Sequence, residues 1–160
     1  MRRLALGFAA VLLIGGFALA QDDTQPTGPQ PTLPTEKLSI TADNGKVYKF
    51  TVELPVTQQQ QDTGEMFRKF IPPNAGMLFI FSTVAVQNMW MENCPVPEDM
   101  LFIGPDGTIK SIAENTVPYS LKDISSNVPV LATLELQGGI TATDDINVGD
   151  KVIAKPFSGS

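Results

Sequence analysis

The chain has 160 residues, with 11 basic against 17 acidic side chains, no histidine and one cysteine. Without an imidazole, Ser-His-Asp and Cys-His nucleophile activation cannot be built, and neither can a histidine-ligated metal centre. A single cysteine excludes an internal disulfide, a thiolate zinc site and an iron–sulfur cluster.

Residues 1–20 read as a secretory signal peptide. Arg2 and Arg3 precede the uncharged apolar run Leu4–Phe17, and Ala18-Leu19-Ala20 is a small-x-small cleavage site. The run is shorter than the roughly 20 apolar residues a membrane span needs. The mature chain is therefore expected to start at Gln21, exported by a bacterium to the periplasm or the medium, with no membrane attachment. Losing two arginines leaves nine basic against 17 acidic residues, a net charge of −8. That balance speaks against nucleic acid and anionic membranes as partners. Residues 21–35 hold four prolines and no buried-type periodicity, the composition of a disordered linker. One folded domain is expected over 36–156, with a flexible tail at 157–160.

Lys37–Ala42 and Lys46–Leu54 alternate around Asp43-Asn44-Gly45 and predict a β-hairpin. Tyr48, Phe50, Val52 and Leu54 share the face expected to meet the core. Thr57 can cap a helix over Gln58–Phe70, which Pro72-Pro73 stops. Gly64 weakens its middle by roughly 1 kcal/mol. Met77–Phe81 is a short apolar run typical of a strand buried on both sides, and Val84–Met91 a further strand carrying Trp90. Asn93–Glu98 contains two prolines and must be a loop. Asp99–Ile103 and Thr108–Ala113 flank the turn Gly104-Pro105-Asp106-Gly107. After an irregular polar stretch to Asn127, Pro129–Leu136 and Lys151–Ala154 predict two more strands, with a weak helical signal between them.

Asp62-Thr63-Gly64 spells the tripeptide of aspartic-protease carboxylates. It follows four glutamines in a helical pattern and has no second copy, so a chance match is the better reading. Met89, Met91 and Cys94 could offer soft sulfur ligands to copper(I). Filling irregular gaps in a core accounts for the same residues more simply. Cys94 has no base beside it and reads as a small buried residue. Asp99, at the head of an apolar strand, must be hydrogen-bonded or shift its pKa if buried. The structural reading has it accepting amides of the Asn93–Pro97 loop. The functional reading pairs it with Glu92 or Glu98 for acid–base hydrolysis.

The chain resembles the DUF192 family, a domain of unknown function. The matching residues run in order: Gly64-x-Met66-Phe67-Arg68, Gly76-Met77-Leu78-Phe79 with Phe81, Trp90-Met91-x-Asn93, and Pro97-x-Asp99-Met100. Phe102-Ile103, Asp106-Gly107-x-Ile109, Leu134-Glu135-Leu136 with Gly138 or Gly139, and Gly149-Asp150 complete the series. The likeness covers about Ile40–Ala154. The family pattern has leucine where Glu65 and Glu98 stand here, lysine at Glu92, threonine at Cys94, and an arginine shortly before Gly64. The resemblance implies a compact, mainly β domain, often exported, without an established activity. It supplies no catalytic residues.

Together these readings predict an α+β, mainly β, single compact domain: a curled antiparallel sheet or small β-barrel of about seven strands with one or two short helices. The expected function is a non-enzymatic binding or structural module of the cell envelope, taking a small molecule or an envelope protein. The candidate ligand-binding residues are Arg68, Trp90, Asn93 and Asp99, with Arg68 pairing an anion; no catalytic residue and no cofactor are assigned. The alternatives are a hydrolase using Asp99 with Glu92 or Glu98, and copper(I) binding by Met89, Met91 and Cys94.

Overall fold

A computed structural model describes residues 25–157; the signal-peptide reading and the end of the tail lie outside those residues. Seven strands form one curled sheet in the order β6-β5-β8-β3-β2-β1-β9. They are β1 Thr35–Thr41, β2 Val47–Glu53, β3 Ala75–Ala85, β5 Glu98–Ile103, β6 Ile109–Ala113, β8 Val130–Gln137 and β9 Lys151–Ile153. A separate two-residue ribbon pairs β4 Asn88–Met89 with β7 Ile124–Ser125. The expected mainly β single domain is what forms. Among the described residues no helix is long and apolar enough to cross a membrane.

β9 draws the two ends of the sheet together. It pairs with β1, Ile40 opposite Val152. It also reaches the β5–β6 turn, where Val152 N–H donates to Gly107 O at 2.8 Å and Ile109 N–H to Asp150 O at 3.0 Å. The buried Asp150 carboxylate pins this corner by accepting the Asp43 and Asn147 amides at 3.0 and 2.8 Å. The enclosed core is built from alternate residues of every long strand: Ile40, Phe50, Val52, Leu78, Leu101, Ile103, Leu134 and Leu136. Phe50 and Val52 occupy it as the alternation of the first hairpin predicts.

Four departures from the sequence reading have physical causes. The helix α1 covers only Gln58–Thr63. Thr57 and Gln60 form a capping box at its start, but Gly64 takes φ +47° and ends it, eight residues before Pro72. The sheet is not wholly antiparallel, because β2 and β3 run parallel. Residues 54–74, α1 included, are a crossover that returns the chain to the same end of the sheet. The strand expected over Val84–Met91 is interrupted: β3 ends at Ala85, β4 is two residues long, and Trp90 lies outside both. The proline-rich segment is tied down before Glu36. Gln30 Nε2 donates to the α1-end carbonyls of Gln60 and Gly64 at 3.1 and 2.8 Å, and Leu33 is buried against Met77 and Phe79. Extended proline-rich chain forms no ladder of its own, yet its side chains can still cap a neighbour. The weak helical signal after β8 is realised as α2, Ile140–Asp144.

Gly76 on β3 packs directly on β8. A Cβ there would run into the Glu135 carbonyl oxygen and approach Leu136 Cδ2 to 2.7 Å. Gly76→Ala should therefore cost about 3 kcal/mol, at the upper end of overpacking penalties. Urea unfolding checks this; an unchanged midpoint would mean that β3 and β8 can part freely.

Candidate functional site

Strand alternation gives the β3–β8–β5 part of the sheet a second buried face. On β5, Leu101 and Ile103 enter the core, while Glu98, Met100 and Phe102 point the other way. On β8, Glu135 is flanked by Met77 of β3 and Met100 of β5. Glu98 lies opposite Gln137, which makes it a same-face diagonal neighbour of Glu135. Two irregular segments cover this face, one following α1 and one following β4. They are joined where Phe67 N–H donates to Asn93 O at 2.7 Å, with both Phe67 and Asn93 at positive φ.

Four carboxyl groups gather beneath this cover around one guanidinium. Arg68 Nη1 and Nη2 donate to the two oxygens of Glu53 at 2.7 and 2.8 Å, a bidentate pair. Its Nε sits 3.2 Å from Glu65 Oε2, near enough for an ion pair but not aligned for a hydrogen bond. Glu98 is fully buried with both oxygens unpartnered, and Thr133 Oγ1 is likewise without a partner. Glu135 is 4 % exposed.

The electrostatics follow from that imbalance. Burial opposes ionisation of Glu53, but the Arg68 hydrogen bonds, the Leu33 amide and the Arg68 charge outweigh it and hold this carboxyl below its usual range. Burial lifts Glu65 to about 7 against the pull of Arg68. Burial and then the negative charge of Glu65 lift Glu98 to about 8. Glu135 is raised well above the ordinary range by burial, Glu98 and Glu65. Burial and the same three acids push the Cys94 thiol up, so it is neither a ready thiolate nucleophile nor a thiolate ligand.

A cleft of about 340 Å³ opens beside this cluster. Gln58, Gln61 and Asp62 of α1 form one wall, Phe79 and Phe81 of β3 the floor, and Met89, Trp90 and Asp123 the other wall. A small chamber of about 30 Å³ adjoins it. Gln61, Asp62, Phe79, Met89 and Trp90 line both spaces, while Glu65, Cys94 and Glu135 line the chamber alone. Glu65 also borders a third space of about 260 Å³ with Glu53 and Arg68.

The sequence-predicted residues fall into distinct positions. Trp90, 49 % exposed, lines the cleft and the chamber. Arg68 is paired with Glu53 through both terminal nitrogens and sits beside Glu65, so two internal carboxyls already meet the charge expected to pair an external anion. Asn93 is a structural link: its carbonyl accepts Phe67 N–H, and Nδ2 faces Met66 Sδ at 3.8 Å. Asp99 is fully buried and satisfied, but by other partners than the Asn93–Pro97 loop. Its Oδ1 accepts the Asn115 and Gly139 amides at 2.8 and 2.9 Å, and its Oδ2 accepts Thr141 N–H and Oγ1–H at 2.9 and 2.6 Å. Alternation turns Asp99 away from the face that Glu98 occupies, so the two adjacent acids do not meet. Glu92 lines the chamber. Met91 and Cys94 pack with Met66, Met100 and Phe102, while Met89 faces the cleft. Among the described residues no three histidine, cysteine or acidic side chains converge as metal ligands.

Sequence reasoning missed Glu65 and Glu135. The available signals were an acid wedged into Gly64-Glu65-Met66-Phe67 and another between Leu134 and Leu136. Each polar residue stands inside an apolar run, where it is buried on one face or the other.

Fold and site together define a small curled-sheet domain whose outer face carries a cleft lined by aromatic and acidic side chains. The DUF192 family model, described as an uncharacterized ACR, matches residues 39–154, and the chain belongs to that family. Two solved structures are similar. One, from Sinorhizobium meliloti 1021 and provisionally described as a transcription regulator, is 38% identical with a TM-score of 0.75, covering 78% of this chain and 96% of its own. The other, a protein of unknown function from Novosphingobium aromaticivorans DSM 12444, is 33% identical with a TM-score of 0.74, covering 88% of this chain and 100% of its own. A search of curated proteins returned no match.

Two consequences can be measured. Asp99→Ala strands three backbone amides and a hydroxyl, so it should lower stability by about 3–5 kcal/mol. A melting temperature equal to wild type would refute that role. Glu98 ionises near 4.5 when unfolded but only near 8 when folded. Between those values the folded chain keeps a proton the unfolded chain has lost, so stability falls as pH rises. Glu98→Gln should flatten that decline and be more stable than wild type near pH 8. Parallel stability–pH curves would assign the decline to other groups.

Proposed function

We propose that this protein is an exported binding domain that holds a small organic ligand in the cleft between α1 and Trp90. The observation that carries the reading is that the cleft and the chamber share Phe79, Met89 and Trp90, with Glu65 and Glu135 lining the chamber. Binding sites combine apolar walls with a few converging polar groups, and these two spaces do so. Export rests on the leader-like residues 1–20. The transcription-regulator description belongs to the Sinorhizobium protein; the acidic balance here and the acidic cleft are unsuited to a phosphate backbone.

One observation favours a second reading, acid–base hydrolysis. Glu65 and Glu98, held to about 7 and 8, would carry protons at neutral pH as a general acid must. The carboxyls facing a substrate would then be Glu65 and Glu135, which line the chamber, rather than Asp99, whose oxygens are committed.

Native mass spectrometry of the protein purified from its own host addresses both parts of the proposal. The expected species is residues 21–160 with a small organic molecule retained, which Trp90→Ala releases. A full-length chain would refute export, and an unliganded spectrum that Trp90→Ala leaves unchanged would count against the cleft.

A further inference from the structure

The buried charges beside the cleft do not balance. Glu53, Glu65, Glu98 and Glu135 share one guanidinium, and Arg68 spends both terminal nitrogens on Glu53 and turns Nε toward Glu65. The Arg68 charge reaches Glu135 and Glu98 but does not offset their burial: Glu135 is 4 % exposed and makes no hydrogen bond through its carboxyl group among the described residues, and Glu98 behind it has both oxygens unpartnered. Carboxyls buried this way must hold protons or meet a cation, because an isolated buried charge is too costly to keep.

The residues lining the cleft and the chamber include no lysine or arginine, while Asp62, Glu92 and Asp123 add acids toward the outside. The aromatic walls are suited to a cation, since the faces of Trp90, Phe79 and Phe81 carry negative quadrupole potential. Size narrows the choice. The chamber, about 30 Å³, admits a group about as large as one water. A primary ammonium head fits that space and brings three N–H donors for acceptor-only carboxylates. A trimethylammonium head is bulkier and has no N–H to offer those oxygens, and among the described residues no three histidine, cysteine or acidic side chains converge to hold a bare metal ion.

From this geometry we infer that the chamber receives a primary ammonium group, so that the ligand is a small organic amine. Its head meets Glu65 and Glu135, and its apolar body lies in the cleft against Trp90, Phe79 and Phe81. This inference rests on the cleft being the binding site. The groups facing the chamber or coupled to it are Glu65, Glu98, Glu135, Glu92, Asp62, Cys94, Arg68 and Glu53. An incoming ammonium replaces the protons that the acids otherwise hold, so binding releases protons and tightens as pH rises.

The test uses the mature chain and its only tryptophan, Trp90, as a fluorescence reporter. Hexylammonium, hexanol and hexyltrimethylammonium are titrated in parallel. Hexylammonium should bind at least about tenfold more tightly than either analogue, and tighten by about tenfold between pH 6 and pH 8, a difference of about 1.4 kcal/mol at each comparison. Glu135→Gln should remove the preference of the site for hexylammonium over hexanol; Glu65→Gln provides the same readout if the first variant does not fold. Equal binding of hexanol and hexylammonium would overturn the amine reading and leave the cleft as a binding site. Preference for the trimethyl head would overturn the size argument, and no response to any probe would overturn the inference as a whole.

Discussion

Glu98 and Asp99 are neighbours in sequence, both fully buried, and the structure treats them in opposite ways. A strand sends successive side chains to opposite faces. Asp99 therefore turns to the end of the sheet where the chain at Asn115 and the start of α2 supply three amides and a hydroxyl. Those bonds fasten β5 to the turn after β6 and to the turn after β8, so the position of the whole β5–β8 pair depends on them. Glu98 turns to the covered outer face and finds no donor for either oxygen. One peptide unit separates a carboxylate that holds the domain together from one that strains it.

The strain is local and surrounded by good packing. Met66, Met91, Cys94, Met100, Phe102 and Val130 make an apolar layer beside the acids, and methionine adapts to irregular gaps better than branched side chains do. Desolvation of Glu98 and Glu135 works against that packing. A domain selected for stability alone would place apolar side chains there. Polar groups that break a local rule without compensation mark places where function outweighs stability. Here Glu65, Glu98 and Glu135 break it within one buried cluster, and Glu65 and Glu135 line the chamber.

Much of the fold was legible because it follows from local rules. Asn44-Gly45 with alternating flanks specifies the first hairpin, Gly104–Gly107 specifies the second, and the apolar runs at β3 and β5 indicate strands covered on both faces. Trp90, which lines the cleft, stood out because a lone large aromatic beside a proline-bounded loop has no periodic reason to be there. The partners of Asp99 were not legible, because Asn115, Gly139 and Thr141 lie 16, 40 and 42 residues away and only strand order brings them near. Arg68 looked free for the same reason: Glu53, its partner, is 15 residues earlier, at the end of β2 where the crossover begins.

That crossover explains why a site exists on this face at all. β2 and β3 are parallel neighbours, so the chain between them cannot be a hairpin and must pass over one side of the sheet. Residues 54–74 take the side bearing Met77, Phe79 and Glu135, and Gly64 ends α1 early enough for Glu65 and Arg68 to turn down onto it. The β4–β7 ribbon closes the same side from the opposite direction, held by Ser126, whose backbone N–H donates to Gln87 O and whose Oγ accepts from Gln87 N–H. Without these covers Glu98 and Glu135 would be ordinary solvated acids on an exposed strand face. With them, the acids are desolvated, and the gap left between the two covers, walled by α1 and Trp90, is the cleft.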